Sequence, residues 1–413
     1  MNATHAVLRR LTGLRASLLE QISVSGGSFL FFLLAARLLG PADFGLFALH
    51  LVPAQIVHSV AVQWVLLPIT TTPGAQPPAR MLAAVTRRMV ILIAAAPLFA
   101  AIYASVAGFR GETVVFVLVV TGIFTALILF DVTRYLAIRC GKAALQATGN
   151  VVRWLTSYIL LFSGAHLSID HPLPTAGAFV LGILASLLIS VGPVFKELQS
   201  GLQNQVPATA PTRPSDGCAL LSLGLANALF TLVSTSALAR SSLAAFGAFQ
   251  TFRSLVNAAP LIIQYLETHF ASNLARQGKT AFMNMKWALV FLGALIAGEA
   301  VVLVFGEWLL SLTVGEEFIP FLWLLAIMYA LVLVQSYTRT IGIEVRLSGA
   351  VIALWLQVIL LVLSGCLIAV WMVVSESSIP ISATISFIMA MAVLQALAML
   401  WGLKLHRRSM TGG

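Results

Sequence analysis

The segment GAFQTFRSLVNAAPLIIQYLETHF, residues 247–270, carries Gln250, Arg253, Asn257 and Gln264 within an otherwise apolar run. Spacings of three, four and seven set all four on one stripe of a helix. A guanidinium can grip a phosphate through paired, charge-assisted hydrogen bonds, and Gln and Asn amides suit sugar hydroxyls. In hydrocarbon such a stripe must face other helices or a water-filled cavity, because a lone charge in lipid costs several kcal/mol. The alternative is that Arg253 snorkels to the interface while the amides join helices.

Gln55 and His58, three apart, share a face of an earlier apolar run, and Gln55 stands 202 residues before Asn257. His58 can bind substrate, take a proton, or serve as an interhelical donor. Glu299 is the carboxylate placed deepest in an apolar run, so it can accept a coupling proton or pair with a neighbouring helix. Arg37 and Arg240 sit at the ends of two apolar runs, where each can brace a gate through Asp43 or another acid, or snorkel. Glu20 reads as an interface or gate residue. The seven His are scattered, the three Cys are far apart, and no Gly-rich phosphate loop with Lys occurs. We therefore expect no catalytic residues, no metal, no cofactor and no enzyme activity.

What must position these residues is a membrane bundle. The 413 residues are 60% hydrophobic and 9% charged, with a mean hydropathy of +0.99, which excludes a soluble enzyme of this length. Apolar runs near 18–38, 44–69, 88–107, 113–131, 151–167 and 175–195 predict six spans. Six more are predicted near 218–238, 246–270, 285–305, 318–337, 350–374 and 380–403. The polar, Pro-containing stretch 196–217 reads as a flexible cytoplasmic link between a lobe of residues 1–195 and one of residues 218–413.

The halves echo each other. AARLLGPADFGLFAL (35–49) answers LARSSLAAFGAFQT (238–251), with an Arg seven and then six positions before a Phe-Gly pair. Thr133-Arg134 recurs as Thr338-Arg339. Each lobe has an even number of spans, so the repeats are parallel, and a central site between two similar lobes is the plan of a transporter. Twenty of the 24 Lys and Arg fall on the side of the N-terminus, Arg134 and Arg153 among them as loop residues, so both termini are expected in the cytoplasm. Gly26-Gly27 with Ser23, Ser25 and Ser28 gives the first span a small face for close packing or bending.

AARLLGPADFGLFAL after a basic N-terminus, together with DVTRYLAIRCGKAALQATGN and TRTIGIEVRLSGA, resembles the polysaccharide-export and O-antigen flippases. Those proteins belong to the superfamily that also holds multidrug and toxin extrusion transporters. The resemblance implies an all-α polytopic membrane protein of twelve transmembrane helices, in two parallel six-helix repeats around a central cavity. It further implies alternating access in the bacterial inner membrane, with a lipid-linked saccharide as substrate. Glycosyltransferases and a polysaccharide polymerase are then the implied partners, alongside membrane lipids and without nucleic acid. Two other readings stand beside it: a multidrug or small-cation exporter of the same fold, and a non-transporting subunit of a polysaccharide assembly complex.

Overall fold

The computed structural model describes residues 2–66, 79–109, 111–140, 142–166, 172–202, 214–256, 285–348, 350–374 and 381–411. Every regular element among them is helical. α1 runs Asn2–Ala61 and continues as a π-helical turn, Val62–Leu66. α2 (Ala79–Ala107), α3 (Thr113–Arg139), α4 (Ala143–His166) and α5 (Pro172–Leu202) follow. Then come α6 (Pro214–Ser241), α7 (Leu243–Val256) and α8 (Met285–Thr313). A 3-10 turn at Glu316–Phe321 leads into α9 (Leu322–Ser348), α10 (Val351–Val374) and α11 (Ile381–Thr411).

Nine stretches among the described residues are long and apolar enough to cross a bilayer. One of them, Ile22–Leu66, has 45 residues, about twice what a single crossing needs. Gly40, at φ 69° and ψ 174°, breaks α1 there into two helices, and Pro41 starts the second with the fixed φ that a first turn tolerates. The break falls between the expected first and second spans. Gly108 ends α2 in the same left-handed way, with the Phe109 N–H donating to the Ala104 carbonyl at 2.9 Å. α5 runs on to Leu202 and α6 opens on Pro214, so helix extends into the polar 196–217 stretch from each side.

Large side chains such as Leu188 (86% exposed) and Leu303 (77%) point outward, as expected of a surface whose solvent is lipid. The halves also match in their helices: α2 and α8 have 29 residues, α3 and α9 have 27, α4 and α10 have 24, α5 and α11 have 31. The turns after α3 and α9 close identically, Lys142 N–H donating to Ala137 O and Ala350 N–H to Val345 O, 208 residues apart. That register puts the structural counterpart of Arg134 near Gly342, one turn beyond Arg339, so the Thr-Arg echo is displaced from the helical repeat by about a turn.

By packing, the chain divides into one compact unit of residues 1–38, 49–105 and 109–217, and a second of residues 39–48, 106–108 and 218–413. Within the first unit, α4 and α5 lie close because Gly149 faces Ser186 and Ser190, and Gly182 faces Ser157 and the Arg153 carbonyl. The Ser157 hydroxyl donates across to Ala178 O at 3.1 Å. Gly27 lies under the Trp154 indole, where any Cβ would collide with the ring. This small face of α1 seats an aromatic cluster of Phe31, Phe32, Trp154, Tyr158 and Phe179, and Tyr158 donates to Gly27 O at 2.8 Å. Within the second unit, Ala226, Val358 and Leu361 form a small apolar core between α6 and α10.

Candidate functional site

A continuous polar network lies inside the first unit, assembled from α1, α3 and α4. It begins at His58, whose Nε2 is 2.7 Å from Asp131 Oδ2. Asp131 Oδ1 stands 3.9 Å from Nη1 of Arg134, one turn further along α3. Arg134 then grips Glu20 with two bonds, Nε to Oε1 at 2.5 Å and Nη2 to Oε2 at 3.1 Å. Asn150 Nδ2 donates to Glu20 Oε1 at 3.3 Å and to Ser23 Oγ at 3.1 Å, and Gln146 Nε2 donates to Asn150 Oδ1 at 3.4 Å. The Ser23 hydroxyl closes the group on the Glu20 carbonyl at 2.7 Å.

This network is largely buried, the His58 side chain being 19% exposed. Glu20 is 2% exposed, Asn150 and Gln146 are fully buried, and the side chains of Arg134 and Asp131 are 13% and 15% exposed. One turn from Asn150 on α4, Arg153 is 4% exposed and lies over the rings of Trp154, Phe130 and Phe179 at 4.3, 4.5 and 5.2 Å. Two carboxylates, the Arg134 and Arg153 guanidinium groups and the His58 imidazole are thus gathered in one place, and imidazole against carboxylate is a pair that can share a proton.

The structure corrects two assignments. Arg134, read as a residue of a cytoplasmic loop, lies inside α3, because Glu20 and Asp131 neutralise it and let the helix run on to Arg139. Arg153, counted as a loop charge of the orientation signal, is inside α4 under three rings. Asp131, Asn150 and Gln146 were not singled out by sequence. Their spacings, Asp131 to Arg134 at three and Gln146 to Asn150 at four, are signals of a shared helix face that the reading could have used.

Other expected residues have varied settings. His58 joins the network, whereas Gln55 on the same helix is exposed. On α7, Gln250 is 7% exposed with its Nε2 lacking a hydrogen-bond partner, and Arg253 is half-buried one turn on. Phe252, fully buried edge-on against Phe318, fixes that helix. Asn257 and Gln264 lie outside the described residues, so the stripe is seen only as Gln250 and Arg253. Glu299 is half-buried on α8, and Arg37 and Arg240 are exposed, Arg240 with its stem against Gly108. Among the described residues no group of His, Cys, Asp and Glu has the arrangement of a metal site.

No protein-family profile matches the chain, and no curated protein sequence matches it significantly. Solved structures do. An inward-facing multidrug resistance MATE family transporter of the MOP superfamily aligns at TM-score 0.55 and 14% identity, over 95% of this chain and 94% of the other. A MATE transporter in a bent conformation aligns at TM-score 0.51 and 15% identity, over 98% and 93%. At such identities the likeness is one of fold: this is a multi-pass membrane protein with the fold of the MATE transporters of the MOP superfamily.

Proposed function

We propose that the chain is an alternating-access exporter of the bacterial inner membrane, with both termini cytoplasmic, coupled to protons through His58 and Asp131. Its proposed substrate is a lipid-linked saccharide. One observation supports the coupling: among the described residues, a largely buried network of ion pairs lies in the first half, where the described part of the second half has an aliphatic core. In the register of the shared turns, Val358 and Leu361 stand where Asn150 and Arg153 do, within an aliphatic core. A fold that builds the same place from Val and Leu has no structural need for buried charge, and buried ion pairs are weak stabilisers of themselves.

The substrate reading rests on the resemblance of AARLLGPADFGLFAL and on Arg253 beside Gln250, a cation and an amide suited to pyrophosphate and sugar. A second reading, export of small cationic drugs, is favoured by the similarity to a multidrug resistance transporter. Vesicle assays with the purified chain separate them: flipping of a polyprenyl-pyrophosphate saccharide on one hand, efflux of a cationic dye on the other. Saccharide flipping that Asp131→Asn abolishes in fully inserted protein supports the proposal. Dye efflux without saccharide flipping establishes the drug reading, and unimpaired transport by Asp131→Asn refutes the coupling. No transport of either, with assembly of a polysaccharide complex intact, makes the chain a non-transporting subunit.

A further inference from the structure

Arg153 is a buried cation held by aromatic faces in place of a carboxylate. Its guanidinium carbon lies 4.3 Å from the Trp154 ring, 4.5 Å from Phe130 and 5.2 Å from Phe179, and its Nε has no hydrogen-bond partner. Among the described residues no acid comes within ion-pair distance of it. Asp131 and Arg134 are the charged groups within its electrostatic reach, and the residue before Asp131 is the Phe130 that it covers. An apolar side chain serves the fold at this place, as Leu361 does in the second half. A guanidinium desolvated at this place therefore calls for a use of its charge.

We propose that Arg153 is a positioning residue for the coupling proton: stacked over Phe130, next in sequence to Asp131, it keeps a positive charge near the partner of His58 without occupying the hydrogen bonds of that pair. The inference rests on the coupling role proposed for that pair. The physical argument is one of sign. A proton arriving at His58 and Asp131 adds a positive charge, and Arg153 opposes that addition through a largely buried medium that screens little. The pair therefore stays deprotonated until the proton activity on the loading side is high enough. Rings suit this task better than a carboxylate would, because a carboxylate partner would cancel the field at the dyad. The other charged and titratable groups near the pair are Glu20 from α1 and Arg134 and Tyr135 from α3. Glu20 and Arg134 are already satisfied by each other.

The test needs no substrate. Proton uptake by the detergent-purified full chain, followed with a pH-indicator dye between about pH 4 and 9, should contain a component that disappears in Asp131→Asn. In Arg153→Met, which keeps the packing of the stem, the midpoint of that component should rise by about one pH unit, and Arg153→Lys should restore most of the difference. An unchanged midpoint in Arg153→Met overturns the proposal while leaving the coupling role of His58 and Asp131 standing. Absence of the component in the unsubstituted protein removes both. Failure of Arg153→Met and Arg153→Gln to yield folded protein, where Arg153→Lys folds, makes Arg153 a structural cation and also overturns it.

Discussion

Replacing Glu20 by Gln tests whether the network is held by its charges. Glu20 is 2% exposed and accepts two bonds from Arg134, at 2.5 and 3.1 Å, plus one from Asn150. With an effective dielectric of about 20, opposite charges about 3 Å apart attract by about 5 kcal/mol, and desolvation opposes most of that gain. Neutral Gln still offers one oxygen acceptor but presents an amide N–H₂ to the guanidinium. Arg134 is then left with Asp131 at 3.9 Å as its remaining ion pair. Breaking a buried pair from one side costs about 3–5 kcal/mol, because the surviving charge stays buried. At about 2–4 °C per kcal/mol for a unit of this size, Glu20→Gln should melt about 6 °C or more below the unsubstituted protein in detergent. Adding Arg134→Met removes the stranded cation and should recover part of the loss, so the double variant should be more stable than Glu20→Gln alone. A Glu20→Gln protein that melts within about 2 °C of the original, or a double variant no better than the single one, would refute the reasoning.

Two further expectations concern packing. Gly27→Val places branched carbons where the Trp154 indole lies, and should cost about 1–3 kcal/mol in a thermal melt, with Trp154 emission shifted as the ring is displaced. Leu361→Arg puts a cation into the Ala226, Val358 and Leu361 core, where Phe230 is one ring against the three that cover Arg153, and should lower stability by more than about 4 kcal/mol, read as failure to recover monodisperse protein.

Helices were legible in this sequence because hydrocarbon leaves the backbone few options, and the described helices follow the apolar runs closely. The break at Gly40 could be read from GPADFG, where Gly precedes a Pro that can start a helix but not continue one. The network was not legible, for a definite reason. A charge at the edge of an apolar run ordinarily ends a span, so the fourth was cut at Asp131, yet α3 continues to Arg139. The partners that make this possible are Glu20 and His58, more than 70 residues away in sequence. Periodicity along one helix carries no record of a partner on another. Arg153 was misread for the same cause: local sequence shows a cation near a loop, and only the fold brings Phe130 and Phe179 over it. Of the polar stripe on the eighth span, Gln250 and Arg253 are placed by the structure, and Gln250 turns inward as expected of a polar group kept from lipid.

The contrast between the halves is the strongest argument that buried charge here serves function. A repeat supplies an internal control, since the last four described helices of each half have equal lengths, pair by pair. Where α1 meets α4, the first half spends burial on Glu20, Ser23 and Asn150; where α6 meets α10, the second buries Ala226, Val358 and Leu361. Both arrangements fill the interface, and the apolar one does so without desolvating any ion. Stability alone would favour that solution in both places. Among the described residues, the burial of two carboxylates, two guanidinium groups and an imidazole in the first half therefore supports the proposed coupling, because a change of protonation is work that these groups can do and an aliphatic core cannot.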